Sequence, residues 1–227
     1  YQQIIDTLPP APPLPPAKER LILHVDMDCF FCSVSCLGRK ELEGMPVAVT
    51  WGDSTNKVSN AEISSANYKA RESGLKAGMW MEQARALCPD LITLPYEFDK
   101  YSEAAERMYR ELFAITPHVE GVSCDEAFAD VTGLGTPEEV MSAVRTRIKQ
   151  STGCDASVGC SVNRLLARMA TSKAKPNGQF FLGREGIDSF FDGKSVRTLP
   201  GVGRQTFKKL EAIGVGTLLE LRGKSKV

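Results

Sequence analysis

The sequence predicts an α+β fold in which a mostly antiparallel sheet carries its helices on one face. The first observation is an apolar run at residues 21–28 that is dense enough for a buried strand and ends in two acids. The second is a pair of apolar stretches, 119–124 and 127–132, that flank Asp125 and Glu126 as two strands would. The third is a mostly helical insertion between the first two strands and the others.

The first half of the chain opens on a proline-rich segment. Residues 8–17 hold six prolines, which predicts an extended connector outside the packed core, with a PxxP ligand for a partner domain as the alternative. Hydrophobic periodicity then predicts a strand at 21–28, a helix at 30–37, a strand at 45–50, a polar loop at 51–60, a helix at 61–74 with Gly74 as its stop signal, a helix at 79–90 and a short strand at 91–94.

The second half alternates helices and strands. The pattern predicts a long amphipathic helix at 98–116 that ends before Pro117, the two strands around Asp125 and Glu126, a helix at 137–153 with Pro137 at its start, a strand at 155–162, a helix at 163–178 with Asn163 as its N-cap, and a short strand at 179–182.

Charge is distributed unevenly along the chain. The formal net charge is zero, yet residues 160–227 hold 13 Lys and Arg against 5 Asp and Glu. The remaining residues are acidic to the same extent. A basic C-terminal third is typical of a phosphate-facing surface, and an acidic remainder is typical of carboxylates gathered around cations. Ordinary variation of charge along a chain is the alternative.

The cysteines and the lengths of the apolar runs predict the cellular compartment of the protein. Seven cysteines without a paired framework indicate a reducing, intracellular setting, and no run reaches the roughly eighteen apolar residues of a membrane span. Cys29, Cys32 and Cys36 have the spacing of one helix face, which favours core packing over a zinc site. The chain begins with Tyr1, so we expect it to be a piece of a longer protein.

Acidic residues stand at the ends of apolar strands. Asp26 and Asp28 share a strand face, and a tight hairpin at Asp125 and Glu126 would let both of these reach one place. Carboxylates buried in this way need a counter-charge. A cluster of carboxylates without histidine suits magnesium, and two such ions could serve phosphoryl transfer. Ion pairs with Lys or Arg are the alternative.

Five segments, in order, carry a family resemblance. The sequence resembles the Y-family translesion DNA polymerases, and within them the Rev-one deoxycytidyl transferases. The segments are DMDCFFCSV (26–34) for the opening carboxylate motif, NYKARESGLKAGM (67–79) for the fingers, SCDEAF (123–128) for the second carboxylate motif, LARMATSKAKPNG (166–178) for the late palm helix and lysine loop, and LPGVG (199–203) followed by GVGTLLEL for the helix-hairpin-helix thumb.

The resemblance implies a catalytic centre with two Mg²⁺ ions. Asp26, Asp125 and Glu126 match the metal-binding, catalytic carboxylates of the family, and the backbone carbonyl of Met27 completes one coordination sphere. Asp28 matches the motif but is not carried over as a ligand; we expect it to orient the turn.

The resemblance also implies a nucleotide site. Phe31 matches the steric gate that crowds a ribose 2′-hydroxyl, and the amides of Phe30 and Phe31 would face the triphosphate at a helix start. Tyr68 and Arg71, three apart on one helical face, match the phosphate-gripping pair. Two further positions match nucleotide-binding residues: Ser65, predicted one helical turn before Tyr68, and Lys175, which would neutralise the leaving phosphates.

The glycine hairpin of the thumb implies contacts with DNA. Gly201 and Gly203 would let the backbone approach a phosphate, beside the positive charges of Arg204, Lys208 and Lys209. Such contacts set register without reading sequence. A glycine turn between two packing helices is the alternative.

The resemblance implies a domain organisation. Residues 1–20 would be a proline-rich linker, 21–35 and 91–182 the palm, 36–90 the fingers and 183–227 a truncated thumb, with the little finger absent. The N-terminal arginine with which the Rev-one class pairs an incoming cytidine has no match here, so dCTP preference follows from kinship alone. Without a little finger, this segment is expected to have reduced activity or none by itself.

The implied function is translesion nucleotidyl transfer. Its partners would be primer–template DNA, a deoxynucleoside triphosphate and other replication or repair proteins, in the nucleus and away from membranes. Three alternatives remain at this point: a DNA-binding scaffold for other translesion polymerases with little turnover, another Y-family enzyme resembling polymerase IV or kappa, and a nucleotidyl cyclase. For a cyclase, neither Phe31 nor the glycine hairpin would have a purpose.

Overall fold

The computed structural model describes residues 20–51 and 61–224. Most of the predicted proline-rich linker and nearly all of the predicted loop at 51–60 therefore lie outside the described residues. The described strands are β1 (Ile22–Met27), β2 (Val47–Thr50), β3 (Ile63–Ala66), β4 (Ile92–Leu94), β5 (Val119–Gly121), β6 (Glu126–Asp130), β7 (Ala156–Ser161) and β8 (Gln179–Leu182).

Helices connect these strands. In chain order they are α1 (Phe30–Cys36), α2 (Tyr68–Glu72), α3 (Met81–Leu87), α4 (Phe98–Phe113), α5 (Pro137–Thr152), α6 (Arg164–Ala174), α7 (Ile187–Phe191), α8 (Arg204–Ala212) and α9 (Leu218–Gly223). Short 3₁₀ turns occur at Lys40–Leu42, Arg184–Gly186 and Val196–Thr198. In the part of the chain described here, no helix is both long enough and apolar enough to cross a membrane.

The larger sheet has five strands in the order β5-β6-β1-β7-β8. Its pairings are antiparallel except for β7 with β8, which is parallel. The α+β class and the mostly antiparallel sheet are therefore confirmed. The central strand β1 alternates in the way its sequence requires, with Leu23, Val25 and Met27 in the main core beside residues of α4 and α5.

The helices lie on both faces of this sheet, which corrects the prediction of one face. His24, between Leu23 and Val25, points to the other side and contacts Thr171 of α6. The close approach of α6 has a local cause, because Gly159 of β7 has no side chain. A Cβ there would lie 2.3 Å from the Ala167 carbonyl oxygen. Alternate residues of β1 therefore pack against helices on opposite faces of the sheet.

A smaller sheet, in the order β3-β2-β4, underlies the segment predicted as fingers. The predicted helix at 61–74 is wrong in its first half, because Ile63–Ala66 pairs with β2 as a strand. The helix begins only after Asn67, whose side chain accepts a hydrogen bond from the Ala70 amide and caps α2. Strand β4 pairs with β2, so the smaller sheet continues past the predicted domain boundary at residue 90. The domain division itself stays a prediction.

The C-terminal segment packs on α6 and β8 through an apolar cluster of its own. Phe190, Val196, Val215 and Leu218 are buried in it together with Met169 of α6. Two glycine turns flank α8. A backbone hydrogen bond from Val196 to Gly216 and one from Leu218 to Lys194 join the segment before the first turn to the segment after the second. The hairpin is therefore fixed to the sheet through α6.

Candidate functional site

Three carboxylates meet where β1 and β6 lie side by side. Asp26 of β1 is directly opposite Glu126, the first residue of β6. Asp125 immediately precedes β6, and its carbonyl accepts a 2.9 Å hydrogen bond from the Met27 amide. The turn between β5 and β6 is closed by the amides of Val122 and Ser123, which both donate to the Glu126 carbonyl. The structure therefore brings Asp26, Asp125 and Glu126 together, as the motifs predict.

Two cationic side chains form ion pairs with these acids. The ammonium of Lys175 is 2.6 Å from Asp26 Oδ1, and the guanidinium of Arg168 is 2.7 Å from Glu126 Oε1. Among residues 20–51 and 61–224, no group of three or more His, Cys, Asp or Glu side chains is gathered in a geometry that holds a metal ion. The acids are adjacent, but two of them are turned towards these cations. The pairing with Lys or Arg is therefore observed at Asp26 and Glu126, and the cation-binding cluster stays a prediction.

The carboxylates of this site are partly buried and close enough to repel one another. Burial raises the pKa of Asp26 to about 6; Lys175 opposes this shift, and Asp125 and Glu126 add to it. Burial likewise raises the pKa of Glu126, against the attraction of Arg168. A divalent cation among these acids would favour their ionised forms, against the burial and the smaller mutual repulsion that raise both pKa values. The three carboxylates and the backbone carbonyl of Met27, whose side chain is buried, are hard oxygen donors of the kind that magnesium prefers.

Two partners of Glu126 were missed by the sequence reasoning. His24 is 1% exposed and its Nε2 lies 2.6 Å from Glu126 Oε1, so the expectation of a carboxylate cluster without histidine is wrong. Burial, followed by the charges of Arg168 and Lys175, lowers the pKa of His24 to about 3. A signal for His24 was present, because residues 24 and 26 share one face of a strand. For Arg168 the signal is weaker: it lies seven residues, about two helical turns, before Lys175, which directly follows α6.

Residues of the segment predicted as fingers reach Asp28, two positions after Asp26, from helix α2. Tyr68 donates a 3.0 Å hydrogen bond to Asp28 Oδ1, and the Arg71 guanidinium lies 4.9 Å from the centre of the Tyr68 ring. Arg71 Nε donates to the Ala66 carbonyl. Ser65 lies in β3 and not one helical turn before Tyr68, so its predicted placement on the helix is wrong. Its role in binding nucleotide stays a prediction.

Phe30 and Phe31 open α1. Cys29, just before them, has φ 40° and ψ 50°, a left-handed conformation that turns the chain sharply from β1 into the helix. The amides of Phe30 and Phe31 belong to the first turn, where no intrahelical acceptor exists. Phe30 is buried, whereas Phe31 is half-buried and its ring lies 4.7 Å from the ring of Tyr101.

The predicted DNA-binding residues lie on the C-terminal hairpin. Gly201 has φ +84°, which a residue with a side chain rarely adopts, and Gly203 is the N-cap of α8. Arg204 and Lys208 are exposed on the first two turns of that helix. The helix start therefore presents unpaired amides next to two positive charges.

Comparisons with known proteins agree with this geometry. Residues 25–172 match the model of the impB/mucB/samB family. The chain is 46% identical over 212 residues to DNA repair protein REV1 of Arabidopsis thaliana, covering 92% of this chain and 19% of that protein. It is 39% identical over 211 residues to DNA polymerase IV 2 of Agrobacterium fabrum, covering 91% of this chain and 57% of that protein. This chain therefore spans only part of the length of these relatives.

The fold has close matches among solved structures. The insertion ternary complex of Dbh DNA polymerase superimposes with a TM-score of 0.80 at 26% identity, over 90% of this chain and 61% of that one. DinB from Sulfolobus solfataricus superimposes with a TM-score of 0.79 at 27% identity, over 90% and 60%. With a family match over more than half of its length and this arrangement of acids, the chain belongs to the impB/mucB/samB family, that of the Y-family DNA polymerases, and within it is close to REV1.

Proposed function

We propose that this chain carries the catalytic centre of a translesion DNA polymerase that joins a deoxynucleotide to a primer opposite damaged template bases. The observation that carries the proposal is the meeting of Asp26, Asp125 and Glu126, with Lys175 on Asp26 and Tyr68 on the nearby Asp28. Y-family polymerases in general use divalent metal ions. We propose Mg²⁺, as two ions, because the three carboxylates and the Met27 carbonyl offer hard oxygens.

Each residue has a role in the proposed reaction. Asp26, Asp125, Glu126 and the carbonyl of Met27 would hold the ions. Two bound ions favour ionisation of the primer hydroxyl and balance the charge of the departing pyrophosphate. Lys175 now lies against Asp26 and would neutralise charge on the leaving phosphates.

The remaining residues would bind and select the nucleotide. Tyr68 and Arg71, joined ring to guanidinium, would grip the triphosphate from the fingers together with Ser65. The amides of Phe30 and Phe31 would donate to its oxygens, and the ring of Phe31 would exclude a ribose 2′-hydroxyl. Gly201, Gly203, Arg204 and Lys208 would hold the primer–template backbone.

The relatives support a finer proposal. Because REV1 proteins of three organisms match this chain at 37–46% identity, we propose dCTP as the preferred substrate, a nuclear location and assembly with other repair proteins. A scaffold without turnover is less well supported, because a binding protein has no need for three carboxylates in one site. A nucleotidyl cyclase would have no use for the steric gate or the glycine hairpin.

Single-nucleotide insertion tests both levels of the proposal. The full-length protein is given a primed template with each template base, each of the four deoxynucleotides in turn, and Mg²⁺. We expect insertion that EDTA abolishes and that Asp125→Asn lowers by about three orders of magnitude, the loss expected when several kcal/mol of metal-mediated stabilisation disappears. The matched control is Asp130→Asn, a buried carboxylate at the far end of β6, which should retain insertion.

The four template bases separate the classes. Preference for dCTP opposite every base would support the Rev-one class. Template-directed insertion of all four nucleotides would contradict that class and leave the polymerase proposal intact. Absence of insertion by the wild-type protein, or insertion unaffected by Asp125→Asn, would refute the polymerase proposal itself.

A further inference from the structure

Asp28 is a buried carboxylate for which the proposed mechanism has no use. It directly follows β1 and is 3% exposed. A carboxylate in such a place needs several hydrogen-bond donors to offset its lost hydration. Its own backbone is fixed at both ends: its amide donates to the Asp155 carbonyl, and its carbonyl accepts from the Ser33 hydroxyl at 2.6 Å. The carboxylate therefore occupies a defined position between the two sheets.

The donors to this carboxylate come from three separate parts of the chain. Oδ1 accepts from the Tyr68 hydroxyl at 3.0 Å, and Oδ2 accepts from the backbone amide of Asn177 at 2.6 Å. The hydroxyl of Ser157 in β7 lies 3.0 Å from both oxygens. An ionised carboxylate only accepts hydrogen bonds, and all three partners are able to donate. The side chain thus joins α2, the loop after α6 and the central sheet at one point.

Two of these three contacts lead to groups that the proposed function places on the triphosphate. Tyr68 belongs to α2 and carries the guanidinium of Arg71 over its ring at 4.9 Å. Asn177 is two residues after Lys175, whose ammonium reaches Asp26 at 2.6 Å. Arg145 holds the other side of that loop through 2.6 Å contacts with the carbonyl and side-chain oxygens of Asn177.

We infer that Asp28 is a positioning residue that sets the phosphate-gripping pair of the fingers and the lysine loop of the palm in one mutual arrangement. The inference rests on the proposed function and deepens it. Asp28 needs no contact with metal or nucleotide to act in this way. Its removal would let Tyr68 and the lysine loop move independently, so the nucleotide would meet phosphate-binding groups that are no longer pre-aligned.

The test compares two replacements of Asp28 in the full-length protein. Asp28→Ala removes the hydrogen bonds from all three donors. We expect it to raise KM for the nucleotide about tenfold, which corresponds to the free energy of one charge-assisted hydrogen bond. Asp28→Asn keeps one oxygen for the Asn177 amide, and its NH₂ group is able to donate to the two hydroxyls. We expect it to restore KM to within about threefold of the wild-type value.

A control separates positioning from a merely structural role. Asp130 is also a buried carboxylate, bound by Arg20 and Thr132 at the other end of β6. Asp130→Ala should lower the melting temperature and leave the nucleotide KM unchanged. An equal rise of KM in both alanine variants, or a wild-type KM in Asp28→Ala, would overturn the positioning role.

A second variant keeps the inference testable if Asp28→Ala does not fold. Ser157→Ala removes the two 3.0 Å contacts by which the central sheet holds the Asp28 carboxylate, and Ser157 has no proposed contact with the nucleotide. It should raise the nucleotide KM by about threefold or more, even if Asp28→Ala does not fold. A wild-type KM in Ser157→Ala would also overturn the inference. Failure of the wild-type protein to insert nucleotides is a different result, because it rejects the proposed function and not the arrangement around Asp28.

Discussion

The ring of Phe31 is braced by neighbouring rings. Its centre lies 4.7 Å from that of Tyr101, 5.9 Å from that of Tyr96 and 5.6 Å from that of Phe30. Tilted contacts of this kind hold a ring in place as well as bury it. A braced ring is a better steric barrier than a free one, because it cannot swing away from a ribose hydroxyl.

Replacement of Phe31 should therefore relax sugar selection. We expect Phe31→Ala to reduce the preference for deoxynucleotides over ribonucleotides by at least about tenfold, since a pocket contact of this size discriminates by one to two orders of magnitude. The measurement is kcat/KM for dCTP and CTP on the same primed template. Phe113→Ala, at the end of α4, is the matched control and should leave the ratio unchanged. A ratio unaltered in Phe31→Ala would remove the steric-gate role.

Asp130 offers a pH-dependent test of stability away from the acids that we propose to be catalytic. Although burial by itself raises it, the pKa of Asp130 is lowered overall by hydrogen bonds from Thr132 and by Arg20. A carboxyl whose folded pKa lies below its unfolded value stabilises the protein above the unfolded pKa and loses that effect as the pH falls. Asp130→Asn should lower the free energy of unfolding by about 1 to 2 kcal/mol at pH 7.

The pH profile of that difference is the measurement. Urea unfolding of wild type and Asp130→Asn between pH 7 and pH 3 should show the two stabilities converging below about pH 4, the ordinary pKa of an aspartate. A difference that stays constant across this range would show that packing, and not the charge of Asp130, is responsible.

Among the secondary-structure elements, β3 shows that hydrophobic periodicity alone does not separate a short strand from a helix. Residues 61–74 have apolar spacing that suits a helix, yet Ile63–Ala66 pairs with β2. Four residues are too few for periodicity to separate strand from helix, and the partner strand is supplied by residues distant in sequence. The Asn67 cap was the available local signal, because such a residue favours a helix start. Where long segments or caps decide, as in α4, α5 and α6, the prediction agrees with the structure.

The contact between β7 and α6 makes a sharp prediction for one glycine. A methyl group at Gly159 would lie 2.3 Å from both the Ala167 carbonyl oxygen and the Thr171 amide nitrogen. Because these are backbone atoms, α6 would have to shift as a whole. Gly159→Ala should destabilise the protein by about 1 to 3 kcal/mol, the usual effect of overpacking a core.

Chemical denaturation measures this effect, and a second glycine provides the control. Gly223 ends α9 and has nothing within 4 Å of the position of a Cβ. Gly223→Ala should change the stability by no more than about 1 kcal/mol, in either direction. Equal effects of the two substitutions would mean that the β7–α6 contact tolerates a side chain.

The whole molecule shows why the site was partly predictable. The meeting of Asp26 with Asp125 and Glu126 follows from two apolar strands that each carry acids, one of them in a hairpin. The pairing of β1 with β6 is non-local, and the motifs of the resemblance supplied it. The partners of Glu126 were harder to predict, although His24 shares a strand face with Asp26. His24 reaches Glu126 from the neighbouring strand β1, and Arg168 reaches it because α6 crosses the second face of the sheet.

The uneven charge of the chain also acts at this scale. The basic C-terminal third includes α6, with Arg168 and Lys175 at the acids, and the hairpin with Arg204 and Lys208 exposed. The first pair is held against carboxylates, whereas the second lies beside the free amides of a helix start. Positive charge in the hairpin is thus available to a phosphate backbone, and zero net charge does not oppose DNA binding.

Removal of that charge should weaken DNA binding without changing its sequence preference. For the double variant Arg204→Ala and Lys208→Ala, the slope of log affinity against log salt should become shallower by about 2, close to one unit for each lost phosphate contact. Arg107→Ala with Arg110→Ala on α4 removes the same charge from an exposed surface whose arginines pair with Glu103 and Glu106. Its slope should match the wild type, because contacts, and not total charge, release counterions. Equal slopes for the two double variants would show that the hairpin does not touch the DNA backbone.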